Sequence, residues 1–255
     1  MILTGRVPSR HDPRTIRMAQ LSPLPAPPPQ FTAAEVTVWP TLGNDKAPCC
    51  TCAAAAHMIH NWTAAHDAPV LISEDQVLAT FVEVSGGAAD GAEMLDVLRF
   101  WRRSGIAERK LRAYVALDPH RENDLRSTIY LFGAAYIGLS FPDFAVKEAC
   151  TDAVWDVPEG GAVGENAPDA ANGHCVAAIG YDTEHLYVVS CGARRSMTWE
   201  FYRAYNDEAY ALLSHDWYGD GRRSPTGFDL NQLQMEIAAL QQKVGAALDV
   251  PAGGA

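Results

Sequence analysis

Three cysteines fall within four positions, Cys49, Cys50 and Cys52, in the run GNDKAPCCTCAAAA. Such a cluster suits three chemistries. A structural zinc site takes about four Cys or His ligands in two spaced pairs. Cys49 and Cys52 make one pair, but His57 and His60 follow on the same predicted helix and no clean second pair exists, so neither a metal nor another cofactor is expected. A C-x-x-C redox motif wants a βαβ context that this part of the chain lacks. The third chemistry is nucleophilic. Gly43, Asn44, Asp45 and Pro48 make a turn, and the alanine run starts a helix, which places a cysteine near position 50 at a helix N-terminus. Free backbone N–H groups and the helix dipole there favour thiolate over thiol. The remaining cysteines, Cys150, Cys175 and Cys191, read as small core hydrophobes.

A thiol nucleophile needs a base. His57 and His60 lie two to three turns along the same helix and are poorly placed to reach its start. His174, in NGHCVAAIGYD, follows a glycine and opens an apolar strand, so it can stand at a cleft edge facing the helix.

The elements that must position these groups are legible in outline. Residues 1–40 carry the proline run PLPAPPP and read as an extended arm, expected to dock across the back of the body and leave the cleft free. Residues 41–228 form the body. Ser73 with Gln76, and Asp90 with Glu93, are capping-box patterns that open helices, and Gly105 closes the second one. After Gly133, AAYIGLSF, GHCVAAIGY and HLYVVSC read as buried strands. Residues 229–255 carry an amphipathic helix, with Leu233, Ile237, Leu240 and Val244 at helical spacing, and a loose tail. Helices followed by strands predict an α+β fold with two lobes.

Composition limits the function classes. A net charge of −11 over 255 residues argues against a nucleic-acid footprint. No run approaches the roughly 18 apolar residues of a membrane span, and no signal peptide is apparent. Irregular cysteine spacing predicts reduced thiols in a cytoplasm.

With these residues in view, the chain resembles the papain-like cysteine peptidases. GHCVAAIGYD and HLYVVSCG look like that family's histidine strand and its successor, and His174 follows Cys50 by 124 positions (174 − 50). It is further similar to papain-like proteins of actinobacteria and their phages, which carry a GND-x-x-GDC turn (here GNDKAPCC), a helix like Glu93–Ile106 and a YLFGA segment like 130–134. The likeness spans most of residues 1–240. It implies a papain-like α+β fold in two lobes and a hydrolase acting on a peptide or amide, located in a cytoplasm or in a virion. In one register Cys50 is the nucleophile, Asn44 an oxyanion-hole donor and Gly91 part of the substrate-pairing segment. In the other Cys52 is the nucleophile. The family's orienting asparagine is replaced by Val189-Ser190-Cys191-Gly192, so Ser190 or a backbone carbonyl takes its place. The second function class is a papain-fold binding or structural protein with a protein partner.

Overall fold

The computed structural model describes residues 3–10, 12–87, 90–218 and 227–248 and, of 244–248, the backbone alone. The arm contributes β1 (Arg6–Val7) and β2 (Phe31–Thr32). Then come α1 (Cys50–Ala64), α2 (Glu74–Ser85), β3 (Ala92–Glu93) and α3 (Met94–Arg103). The rest runs β4 (Leu111–Ala116), α4 (Glu122–Phe132), β5 (Ala135–Ser140), α5 (Asp143–Glu148), β6 (Gly173–Tyr181), β7 (His185–Ser190) and β8 (Ala193–Thr198). It ends with α6 (Trp199–Tyr205), β9 (Asn206–Ser214), α7 (His215–Tyr218) and α8 (Leu230–Leu248). This is the expected α+β architecture: helices, then an antiparallel seven-stranded sheet in the order β4-β9-β5-β6-β7-β8, with β2 attached to β6.

α1 explains its own alanines. Every residue from Cys50 to Thr63 is buried, and a helix enclosed on all sides must carry small side chains where it lies against a sheet. Several of its buried polar groups bond to neighbouring backbone, while Thr51 Oγ1, His60 Nδ1 and Asn61 Oδ1 have no hydrogen-bond partner among the described residues. Asn61 donates to the Gly133 carbonyl (2.9 Å), Trp62 to that of Phe132 (2.8 Å), and the Tyr136 hydroxyl donates to the Thr51 carbonyl (2.8 Å). The last of these fixes the helix start against β5, and the first two fix its C-terminal half against the end of α4.

The Ser73–Gln76 capping box is present, and Gly105 follows the end of α3 with a left-handed φ of 92°. The Asp90–Glu93 box is not. Glu93 itself is the N-cap of α3, in extended conformation, because Ala92 and Glu93 are engaged as a strand. In α8, Leu230, Leu233 and Ile237 are buried and Leu240 partly so, while the Val244 side chain lies outside the described residues. Among the described residues no helix is long and apolar enough to cross a membrane.

Two expectations are overturned. Cys150 and Cys191 are not separate core hydrophobes; they form a disulfide with Cα atoms 5.3 Å apart, closing a loop of 41 residues. β7 and its turn bring Cys191 back onto the end of α5, a proximity that linear spacing does not encode. The arm, second, does not only wrap the back. Its later part does so: the Ile16 carbonyl accepts from Ala116 at the edge of β4, Phe31–Thr32 pair with Gly180–Tyr181 where β5 ends, and Trp39 packs edge-on against His57 and His60. Its first residues, however, enter the groove between the helices and the sheet. Forty extended residues reach about 130 Å, enough for a full circuit of the sheet lobe before the chain returns to the Gly43 turn.

Candidate active site

Leu42 and Gly43, both at positive φ, turn the chain so that the amides of Lys46 and Ala47 bond the Gly43 carbonyl. Cys49 is the helix N-cap, with no side-chain cap, and Cys50 is the first helical residue. The predicted helix-start cysteine is therefore in place. All three clustered thiols are buried. Burial pushes Cys49 up to about 12, and it pushes Cys50 and Cys52 up as well. Burial therefore works against the thiolate expected from the helix start. The surroundings of the two candidate nucleophiles differ. The groups that shift Cys52 besides burial are its helix neighbours Cys49, Cys50 and Thr51, and Cys52 in turn acts on the Tyr136 hydroxyl of β5. Cys50 is opposed by groups from beyond the helix: the backbone N–H groups of Cys175 and Gly5, and the positive charge of Arg6.

His174 is the second residue of β6, paired with Leu139 of β5. It is 2% exposed, lies against the Phe141 ring, and its Nε2 is 3.1 Å from the Ser190 hydroxyl. Its Nδ1 is buried and has no hydrogen-bond partner among the described residues. Desolvation, with the Arg6 charge second, lowers its pKa to about 3, so the ring is neutral. Ser190 is held at the end of β7 by pairing with Ala193 and by its neighbour Cys191, whose left-handed backbone (φ 52°) and disulfide anchor the turn.

The groove between these walls is occupied by residues 3–7 of the chain itself. Leu3 exchanges hydrogen bonds with Asn44: its N–H donates to the Asn44 carbonyl (2.9 Å), and Asn44 Nδ2 donates to the Leu3 carbonyl (2.9 Å) and to that of Ala47 (3.3 Å). Gly5 is bonded to both walls, donating to the Gly173 carbonyl (3.0 Å) and accepting from Ala92 N–H (2.9 Å). Beyond it, Arg6 and Val7 run parallel to Ala92 and Glu93. The fit leaves no room at the crossing. A Cβ on Gly5 would come 2.1 Å from the Pro48 carbonyl oxygen. The Gly5 N–H, which the Gly173 carbonyl accepts, is also among the groups that act on the Cys50 thiol.

Of the residues singled out from sequence, Asn44, Cys50, Gly91 and His174 all border this bound segment, Ser190 bonds His174, and no group of the segment acts on Cys52. His57 and His60, weighed above as ligands, instead bond the carbonyls of Pro40 (2.8 Å) and Val38 (3.3 Å) and fasten the end of the arm. Sequence reasoning missed Arg6, Ser140, Asp207 and Glu208. The one available signal was the acid pair opening β9, which has no recognisable spacing to the other residues.

No family model matches the chain, and no curated protein sequence does. Solved structures do. Xylellain, a cysteine protease from Xylella fastidiosa, superposes with a TM-score of 0.62 at 14% identity over 83% of this chain and 96% of its own. Procathepsin B S9 from Trypanosoma congolense gives 0.53 at 15% identity, over 83% and 86% of the two chains. The Carica candamarcensis cysteine protease CMS1MS2, solved with E-64, gives 0.52 at 12% identity, over 73% and 98%. The fold of this chain is that of the papain-like cysteine proteases.

Proposed function

We propose that the protein is a cysteine hydrolase of peptide or amide bonds with Cys50 as nucleophile, held inactive by its own first residues. Cys50 passes its proton to His174 and its sulfur attacks the substrate carbonyl carbon. The resulting oxyanion is received by the Asn44 side-chain amide and the Cys50 backbone N–H. Collapse expels the amine, protonated by His174, and leaves a thioester. Water, deprotonated by His174, then hydrolyses it to the acid and the free thiol. Ser190 holds the imidazole, and the segment from Gly91 to Glu93 pairs with the substrate backbone. The observation that carries this reading is the arm in the groove: an extended peptide, hydrogen-bonded to both walls, already lies across Asn44, Cys50 and Gly173. Cys50 is favoured over Cys52 because only Cys50 is acted on by groups of that peptide and of the opposite wall.

A second reading is a papain-fold binding or structural protein, such as a phage component, with a vestigial cleft. The observation favouring it is that, among the described residues, the one side-chain hydrogen-bond partner of His174 is a hydroxyl. The test is the variant Gly5→Ala, which cannot seat the arm, treated with iodoacetamide at pH 6. The hydrolase reading expects Cys50 to be alkylated at least tenfold faster than in the wild type, and peptide hydrolysis that disappears in Cys50→Ala and His174→Ala. Arm release without either gain would establish the binding-protein reading instead.

A further inference from the structure

Arg6 is the one side chain of residues 3–8 that is buried; Leu3 and Pro8 are exposed. Its guanidinium ends in a built pocket. Nη1 donates to Glu208 Oε2 (3.2 Å), and Nη2 donates to Asp207 Oδ2 (2.7 Å) and to the Ser140 hydroxyl (3.2 Å). The pocket is organised independently of the arginine. Ser140 donates to Asp207 Oδ2 (2.6 Å), Tyr210 donates to Glu208 Oε1 (2.7 Å), and Asn206 bonds the Gly138 carbonyl (2.7 Å). Successive residues of a strand normally face opposite sides of the sheet. Here the pairing of β9 with β5 slips between Gly138 and Leu139, with Glu208 opposite Gly138 and Asn206 opposite Leu139, so Asp207 is the extra residue of a bulge. A bulge re-aims a side chain, and this one turns two adjacent carboxylates onto one cation. Gly138 completes the entry, since a Cβ there would stand 2.7 Å from Arg6 Cδ.

This is not a sealed core ion pair. The Asp207 side chain is 40% exposed, and both carboxylates border an open groove of about 610 Å³ that also carries Asp118 and Asp124. Once residues 3–7 leave, two carboxylates and a hydroxyl converge on an accessible site that has lost its guanidinium; Arg10 and Arg17 line the same groove, and Glu208 keeps the Ser9 N–H (3.4 Å). Planar, forked guanidinium groups meet that geometry best.

We propose that Asp207, Glu208 and Ser140 form a side-chain subsite for arginine, and that the cleft takes peptides presenting an arginine there, Arg6 being the internal occupant. This rests on the peptide-hydrolase reading for the substrate but not for the binding. The pocket reads a side chain whichever way the backbone runs.

The test uses the full-length Arg6→Ala variant and ethylguanidinium at millimolar concentration, with ethylurea as the neutral isostere. Ethylguanidinium should raise the thermal midpoint of Arg6→Ala saturably, recovering at least half of what the substitution lost, and should leave wild type and Arg6→Ala/Asp207→Asn/Glu208→Gln unmoved. No saturable gain, or an equal gain with ethylurea, overturns the subsite. Should Arg6→Ala fail to fold, the Gly5→Ala protein is profiled on peptides differing at one position. Arginine should exceed leucine at least tenfold in kcat/KM, and Glu208→Gln should remove most of that ratio; a preference for leucine overturns the proposal. Guanidinium rescue without cleavage of any peptide leaves the subsite standing and removes the hydrolase reading.

Discussion

Gly5 and Gly91 approach so closely that a Cβ on Gly91 would lie 1.9 Å from the Gly5 carbonyl oxygen. Gly91 also sits at φ 110°, where a side chain is strained in any case. The contact means that the arm and the wall of the groove are fitted to each other as backbones.

Gly5→Ala is expected to expel residues 3–7 without unfolding the body, because Gly5 is not at positive φ and the three atoms its Cβ would meet most closely all belong to Pro48. Hydrogen exchange read by mass spectrometry should show the amides of Gly5 and Ala92 protected in the wild type and exchanging at least a hundredfold faster in the variant. Unchanged protection would mean that the arm accommodates the methyl group.

Reducing the Cys150–Cys191 bond should destabilise the protein. A closed loop of 41 residues is worth about 4 kcal/mol by loop entropy. A Cys150→Ser/Cys191→Ser variant, or wild type in reductant, is expected to melt several degrees lower in thermal denaturation. It should also lose part of its Cys50 reactivity in the Gly5→Ala background, since Ser190 adjoins the bridge.

Ser190→Ala leaves His174 Nε2 buried without its partner, which costs about 1–3 kcal/mol. In the Gly5→Ala background the alkylation rate of Cys50 at pH 6 should fall at least tenfold, while Ser190→Asn should retain or raise it.

Acid should destabilise the folded protein. Burial lowers His57 to about 4 and His174 to about 3, so between about pH 6.5 and these values the unfolded chain binds protons that the folded one does not. Stability contributed by these two groups is full above about 6.5 and declines as pH falls. Thermal midpoints measured from pH 7 to pH 4 should drop, and the slope should flatten in His57→Gln/His174→Gln.

The strands most easily read, β5, β6 and β7, are those with unbroken β-branched and aromatic runs. β8 (ARRSMT) and β9, which opens on Asn-Asp-Glu, were hidden because their polar residues face an edge or the groove. Asn44, Cys50, Gly91 and His174 could be singled out because turn chemistry, helix onset and family resemblance each leave a local mark. The pocket around Arg6 left none. It depends on a bulge that joins β9 to β5, and on an arm that travels round the sheet lobe before entering the groove, both of them properties of pairing across long sequence distances. The disulfide escaped for the same reason: its loop is closed by the β7–β8 turn meeting α5.

The circuit of the arm makes its grip on the groove a matter of local concentration. Ile16 on β4, Phe31 and Thr32 on β6, and Val38 and Pro40 on α1 tether the segment along its length, so a released Arg6 stays within reach. Short tethers give effective concentrations of about 1 mM. If residues 3–7 bound as a free peptide with a Kd of about 1 μM, the groove would be about 99.9% filled, and a rival peptide of equal affinity would compete at a thousandfold disadvantage. Cutting the chain between Pro8 and Thr15 would abolish that disadvantage at a stroke, converting a permanent occupant into one that dilutes away.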